Sequence, residues 1–125
     1  HQNQRTMNNS YKKLDVYAKS RQLVVTVYSL LKHFPAEEKY ALGDQMCRAV
    51  ISVPSNIAEG SGRTSAKDQA HFFEMAFGSL MELSCQMDIA CDLGYIEQLE
   101  LNQVEEQTHR IAAMLSGLRR KCLTR

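Results

Sequence analysis

Four stretches of this chain place apolar residues at the 3.6-residue period of an α-helix, and proline or glycine separates each stretch from the next. No stretch of useful length alternates apolar and polar residues as a half-buried β-strand does. Hydrophobic residues make up 44% of the 125 residues, against 6 Gly and 2 Pro, which favours one globular domain over a disordered or collagen-like chain. The sequence therefore predicts an all-α fold, an antiparallel up-down-up-down four-helix bundle.

The first two predicted helices are separated by a proline. The first covers about residues 14–34 and ends before Pro35, because the residue ahead of a proline disfavours the α conformation. Its predicted apolar face comprises Tyr17, Val24, Val27, Tyr28 and Leu31, with Val16, Leu23 and Leu30 beside it. The second helix is predicted from Pro35 to about Glu59, with a kink at Pro54, since proline lacks an amide donor. Its predicted apolar face comprises Leu42, Met46, Ala49, Val50, Val53 and Ile57. Gly60 is predicted to end this helix in a left-handed conformation.

The third and fourth predicted helices carry clear apolar stripes. The third begins at Ser65, which forms an approximate capping box with Asp68, and ends at Leu93 before Gly94. Its predicted core face comprises Phe73, Ala76, Phe77, Leu80, Leu83 and Met87. The fourth helix has apolar residues at heptad spacing, namely Val104, Thr108, Ile111, Leu115, Leu118 and Cys122.

The side of the third helix opposite its core face is unusually apolar for a bundle helix. This back stripe comprises His71, Met75, Gly78, Glu82, Cys85 and Ile89. A bundle helix that faces water is expected to be polar there. Scattered surface hydrophobes are common, but several small or apolar residues on one stripe favour a contact with another subunit. We therefore predict a homo-oligomer whose interface includes the back stripe.

Several sequence runs carry a family resemblance. They are residues 11–17 (YKKLDVY), Phe34-Pro35 with Glu38 and Tyr40, residues 51–63 (ISVPSNIAEGSGR), residues 76–83 (AFGSLMEL) and residues 93–96 (LGYI). These runs resemble the bacterial four-helix-bundle proteins, also called 23S rRNA-intervening-sequence proteins, some of which are encoded inside insertions in ribosomal RNA genes. That family is similar to the accessory variability determinant of diversity-generating retroelements, a pentameric nucleic-acid-binding bundle that works with a reverse transcriptase. The resemblance implies a homo-pentamer and no known catalysis.

The sequence offers little support for an enzyme. A di-iron bundle needs two inward-facing Glu-x-x-His motifs, and the chain has one, Glu106 to His109, with a weaker Asp68 to His71. Measured from the predicted turn near Tyr95, the two histidines are offset by about ten residues, or about 15 Å. No serine elbow or phosphate-loop lysine motif is present. We therefore expect no catalytic residues, no metal ligands, no cofactor and no small-molecule substrate.

Basic residues near both ends of the chain are the candidates for nucleic-acid binding. They are Lys12, Lys13, Lys19, Arg21, Arg63, Arg119, Arg120, Lys121 and Arg125. The two ends of an up-down bundle meet, so the eight residues other than Arg63 are predicted to form a patch that contacts RNA, DNA or a ribonucleoprotein, mainly through phosphates. Arg63 follows the Gly60-Ser61-Gly62 turn, whose free amides could hold a phosphate with it. Arg63 could instead pair with Glu59, which we favour. The competing interpretations are ordinary surface charge and a protein-protein interaction scaffold with no nucleic-acid role.

The cysteines and the apolar runs of the chain indicate its expected cellular compartment. Cys47, Cys85, Cys91 and Cys122 lack the spacing of metal or disulfide motifs and are interpreted as reduced. Residues 23–31 form the most apolar stretch, which is too short for the ~20 residues that cross a bilayer. We predict a cytoplasmic protein without a membrane partner. Residues 14–125 are the predicted bundle, and residues 1–13 a flexible segment, with residues 1–6 a cloning remnant or a frayed end.

Overall fold

Four long antiparallel helices make up the fold, as predicted. The computed structural model describes residues 10–124, so Arg125 and most of the predicted N-terminal segment lie outside the described residues. We label the long helices α1 (Asp15–Leu31), α2 (Leu42–Ser61), α3 (Ala66–Asp92) and α4 (Gln98–Leu123). Residues 10–124 contain no strand. Each helix packs against the next, and α4 packs against α1, so α1 and α3 occupy diagonally opposite corners. None of the helices within 10–124 has the length and apolarity to cross a membrane.

The predicted apolar stripes of α2, α3 and α4 form most of the core. Leu42, Phe77 and Leu118 are only partly buried at its edge. The fully buried large side chains of these three helices are Met46, Val50, Val53, Ile57, Leu80, Leu83, Met87, Ile111 and Leu115. Burial of such side chains is the main favourable term in folding. The 3.6-residue period therefore located the buried faces of three helices correctly.

The buried face of α1 differs from its prediction by part of a turn. Its core residues are Val16, Leu23, Val27 and Leu30, which were predicted in part as flanking positions. Tyr28, predicted on the apolar face, is 44% exposed, and Val25 is 69% exposed. Apolar residues occupy more than half of the circumference of α1, but only the side that faces α2 and α4 is covered. The uncovered apolar side chains of α1 remain at the surface.

The predicted second helix is two separate segments. One helical turn spans Ala36–Lys39, and the chain leaves the α conformation at Tyr40 and Ala41 before α2 begins. None of the residues in the short turn is buried, so no packing holds it in line with α2. Helix α2 continues through Pro54. The kink at Pro54 stays a prediction.

The helix ends use glycine in two different ways. Gly94 follows α3 with φ of 80°, the left-handed conformation that glycine adopts without a steric cost. The left-handed cap predicted at Gly60 is wrong, because Gly60 lies inside α2 and is buried. A Cβ on Gly60 would lie 2.8 Å from the Cβ of Phe72, so this position requires glycine for the close approach of α2 and α3. At the start of α3, Ser65 accepts a hydrogen bond from the Asp68 amide at 3.0 Å, as predicted.

Candidate functional site

One end of the bundle gathers most of the basic side chains. Here α1 and α3 begin and α2 and α4 end. Leu14, which directly follows Lys13, lines the same cavity as Ser61 of α2 and Lys121 of α4. The fold therefore brings the two chain ends together. We define the basic end by its cationic residues, Lys12, Lys13, Lys19, Arg21, Arg63, Lys67, Arg119, Arg120 and Lys121.

Only part of this positive charge is neutralised within the chain. The ion pairs of residues 11–124 are Lys19–Asp15 at 3.7 Å, Arg63–Glu59 at 2.6 Å and Arg119–Glu74 at 3.9 Å. All of them lie at the basic end. The cations there that form no ion pair are Lys12, Lys13, Arg21, Lys67, Arg120 and Lys121, and each is exposed. This end of the bundle consequently carries uncompensated positive charge that faces water.

Arg63 is held in place by its neighbours. Its guanidinium donates to Glu59 and lies over the ring of Phe72, 4.5 Å from the ring centroid. Its backbone carbonyl accepts a hydrogen bond from the Gln69 side chain at 2.9 Å. The favoured prediction, pairing of Arg63 with Glu59, is confirmed. Arg63 thus stabilises the turn between α2 and α3. Because it is paired with Glu59, it contributes less uncompensated positive charge than Arg120 or Lys121.

Lys19 and Arg21 project from different sides of α1. Lys19 lines a small pocket against α4 together with Gln107 and Arg110. Arg21 lies on the side of α1 that faces α2, with its guanidinium 5.6 Å from the ring centroid of Tyr17. Residues two positions apart on a helix diverge by about 200°, which explains the separation. The predicted single patch therefore consists of the bundle tip, with Lys19 and Arg21 on two flanks.

The opposite end of the bundle is acidic. Its carboxylates are Glu37, Glu38, Asp44, Asp88, Asp92, Glu97, Glu100 and Glu105, and its cations are Lys32, Lys39 and Arg48. The formal net charge of +1 sums over both ends and conceals this segregation. Composition alone gave no hint of it, whereas the helix order together with the charge of each helix end could have predicted it.

The back stripe runs along the exposed side of α3. All six of its residues are exposed, including Met75 at 42% and Ile89 at 43%. A Cβ on Gly78 would have no other atom within 4 Å. The subunit leaves this apolar stripe uncovered, and the predicted contact across it stays a prediction.

A second apolar surface lies between α1 and α2. This α1–α2 groove is lined by Tyr17, Arg21, Val24, Val25, Tyr28, Ser29, Lys32, Ile51, Pro54, Ser55 and Ala58. Hydrogen bonding with Cys47, and then burial, raise the pKa of Tyr28 above its ordinary value of 10.0, and a tyrosine is already neutral at pH 7 at that ordinary value. The charged groups of the groove are then Arg21 and Lys32. Sequence reasoning missed the groove because it assigned the broad apolar face of α1 to the core.

The motif considered for metal binding points outward. Glu106 and His109 are exposed, while Val104 and Ile111 of the same helix are buried. His71 is exposed on α3. Across residues 10–124, no group of three or more His, Cys, Asp or Glu side chains is arranged to hold a metal ion. The four cysteines have no disulfide partner.

Comparisons with known proteins agree with this architecture. A crystal structure of a protein of unknown function, from the S23 ribosomal protein family of Bacteroides thetaiotaomicron, is 21% identical with a TM-score of 0.77. The likeness covers 83% of this chain and 97% of that chain, and at this identity it shows a shared fold. No curated protein matches the sequence. The family model described as 23S rRNA-intervening sequence protein matches residues 12–117. Since this match covers most of the chain, the chain belongs to the 23S rRNA-intervening sequence protein family.

Proposed function

We infer that this protein is a non-enzymatic homo-oligomer, a pentamer by family resemblance, that binds nucleic acid through its basic end. The observation that carries the proposal is the set of exposed cations without an ion pair, among them Arg120 and Lys121 at the end of α4. The proposed ligand is RNA or duplex DNA, free or within a ribonucleoprotein. The proposed location is the cytoplasm.

Contact with the nucleic-acid backbone fits the chemistry of the basic end. Lysine and arginine side chains bind phosphates without reading the base sequence. Base stacking needs free aromatic rings, and Tyr11 and Tyr17 already pack edge to face with their ring centroids 5.0 Å apart. The proposed binding is therefore indifferent to sequence and strongly weakened by salt.

Oligomerisation would strengthen weak contacts of this kind. The exposed back stripe, with open space above Gly78, supports a subunit contact. A ring of subunits repeats the basic end, and several weak contacts on one nucleic acid bind more tightly than a single contact. The proposed pentamer rests further on the resemblance noted in the sequence to a family that is similar to a pentameric retroelement accessory protein.

A protein-protein interaction scaffold without a nucleic-acid role is the second candidate. The α1–α2 groove supports it, because Val25 and Ile51 are 69% and 43% exposed on a surface that the subunit does not cover. In this alternative the basic end only keeps the protein soluble.

Binding of a structured RNA and of duplex DNA, measured at low and at physiological salt, tests the proposal. The double variant Arg120→Ala/Lys121→Ala is expected to bind several-fold more weakly than the wild type at low salt. Lys39→Ala/Arg48→Ala is the matched control, because it removes the same charge away from the basic end. Wild-type protein that does not bind even at low salt, or equal loss in both double variants, would contradict the proposal and leave the scaffold function.

A further inference from the structure

A ring with an odd number of subunits requires two different surfaces on each subunit. In a cyclic assembly larger than a dimer, every contact joins one patch to a different patch on the next copy. A patch that pairs only with itself forms a two-fold contact and stops at a dimer. The back stripe alone therefore cannot build the proposed pentamer, and a second, complementary surface is needed.

The α1–α2 groove has the apolar character of such a surface. Val24, Val25 and Ile51 lie at its centre, where its two halves meet. Val25 is 69% exposed, although burial of a valine side chain is favourable. The back stripe presents small and apolar side chains, Met75, Gly78 and Ile89, that could enter a shallow groove. Gly78 lies one turn before Glu82 and permits a close approach of helices at that part of the stripe.

The charges of the two surfaces are complementary. Arg21 and Lys32 line the groove near its two ends, and neither forms an ion pair within residues 11–124. Glu82 lies in the back stripe and Asp92 ends α3, and both are exposed and also without an ion pair in that range. At 1.5 Å per residue, Arg21 and Lys32 are about 16 Å apart along α1, and Glu82 and Asp92 about 15 Å apart along α3. These two cations and two carboxylates thus have nearly the same axial spacing, with Asp92 one turn beyond Ile89 of the back stripe.

We propose that the α1–α2 groove binds the back stripe of a second copy of this chain, so that each subunit contact in the oligomer is head-to-tail. This inference rests on the proposed homo-oligomer and names its two contacting surfaces. The groove opens on the side of the bundle formed by α1 and α2. The back stripe lies on α3, which is diagonally opposite α1. Successive copies therefore turn relative to one another, which allows a ring to close.

Complementation between two interface variants tests the head-to-tail arrangement. Val25→Glu disables the groove and leaves the back stripe intact, whereas Gly78→Glu disables the back stripe and leaves the groove intact. Each variant alone is expected to run as a monomer of about 14.2 kDa in light scattering. Mixed in equal amounts, they are expected to form a dimer of twice that mass, because one intact groove and one intact stripe remain. Ala113→Glu, at an exposed position of α4, is the matched control and should keep the wild-type mass.

The outcomes separate this inference from the proposed function. Wild-type protein that is monomeric at micromolar concentration would overturn the homo-oligomer and this inference together. An oligomeric wild type with an oligomeric Val25→Glu variant, or a mixture that stays monomeric, would overturn the head-to-tail contact alone. Circular dichroism checks that each variant is folded. If Val25→Glu unfolds, Ile51→Glu replaces it, since Ile51 is exposed on the opposite wall of the groove.

Discussion

The backbone of Gly60 approaches Phe72 so closely that a Cβ on Gly60 would lie 2.8 Å from the Cβ of Phe72. This contact joins the last turn of α2 to the second turn of α3. The ring of Phe72 in turn supports the guanidinium of Arg63 at 4.5 Å. The turn between α2 and α3, which belongs to the basic end, is therefore positioned by the packing of two helices rather than by its own conformation.

Gly60→Ala should destabilise the subunit although alanine favours the helix. The added methyl group would force α2 and α3 apart, at a cost of about 1–3 kcal/mol in the free energy of unfolding. Gly117→Ala in α4 is the control, because a Cβ there has no other atom within 4 Å. The control should be unchanged or more stable by up to about 1 kcal/mol. Urea unfolding at one protein concentration measures both, and equal effects would contradict the close approach.

Leu80→Ala and Ile111→Ala should each destabilise the subunit by roughly 2–5 kcal/mol, as truncation of buried side chains does. Leu80 and Ile111 are 0% and 1% exposed in the facing helices α3 and α4. Leu99→Ala serves as the control, because Leu99 is 78% exposed and should contribute within about 0.5 kcal/mol. Urea unfolding measures the free energy of unfolding of each variant. A decrease near zero for either core variant would mean that the assigned buried face is wrong.

Gly78→Leu should dissociate the proposed oligomer without unfolding the chain. The position is open to solvent in the subunit, and leucine favours the helix by about 1 kcal/mol relative to glycine. Light scattering at micromolar concentration should show a loss of mass, while the thermal transition of the helical signal persists. Ala113→Leu on α4 provides a matched surface change. Retention of the full mass by Gly78→Leu would argue against a contact at the back stripe.

The helical spacing of apolar residues predicted the features that depend on one helix alone. Each of α2 and α4 has one narrow apolar stripe, and the core face of α3 carries larger apolar side chains than its back stripe, so the spacing fixed their buried faces. On α1 the apolar residues are too widely spread for a spacing rule, and only the positions of α2 and α4 decide that Leu23 is buried while Val25 is exposed. The need for glycine at Gly60 likewise depends on Phe72, a neighbour from another helix, and is invisible in the local sequence.

The sequence predicted which basic residues belong to the candidate site, but it predicted their spatial arrangement less completely. Helix order alone places the basic termini together, and the cavity shared by Leu14 and Lys121 agrees with it. Pairing that depends on helical spacing, as for Arg63 with Glu59, was also predictable. Whether Arg21 faces α2 or α4 depends on how α1 is rotated in the bundle. The predicted apolar face of α1 gave the wrong rotation.

The dependence of nucleic-acid affinity on salt concentration measures whether the basic end binds phosphates. If the basic end binds phosphates, the logarithm of the association constant should fall linearly with the logarithm of salt concentration, with a steep slope for the wild type. Arg120→Ala/Lys121→Ala should reduce that slope by about 2, since each lost phosphate contact reduces it by about 1. Lys39→Ala/Arg48→Ala should leave the slope unchanged. A wild-type slope near zero, or an unchanged slope in the Arg120→Ala/Lys121→Ala variant, would contradict binding through the basic end.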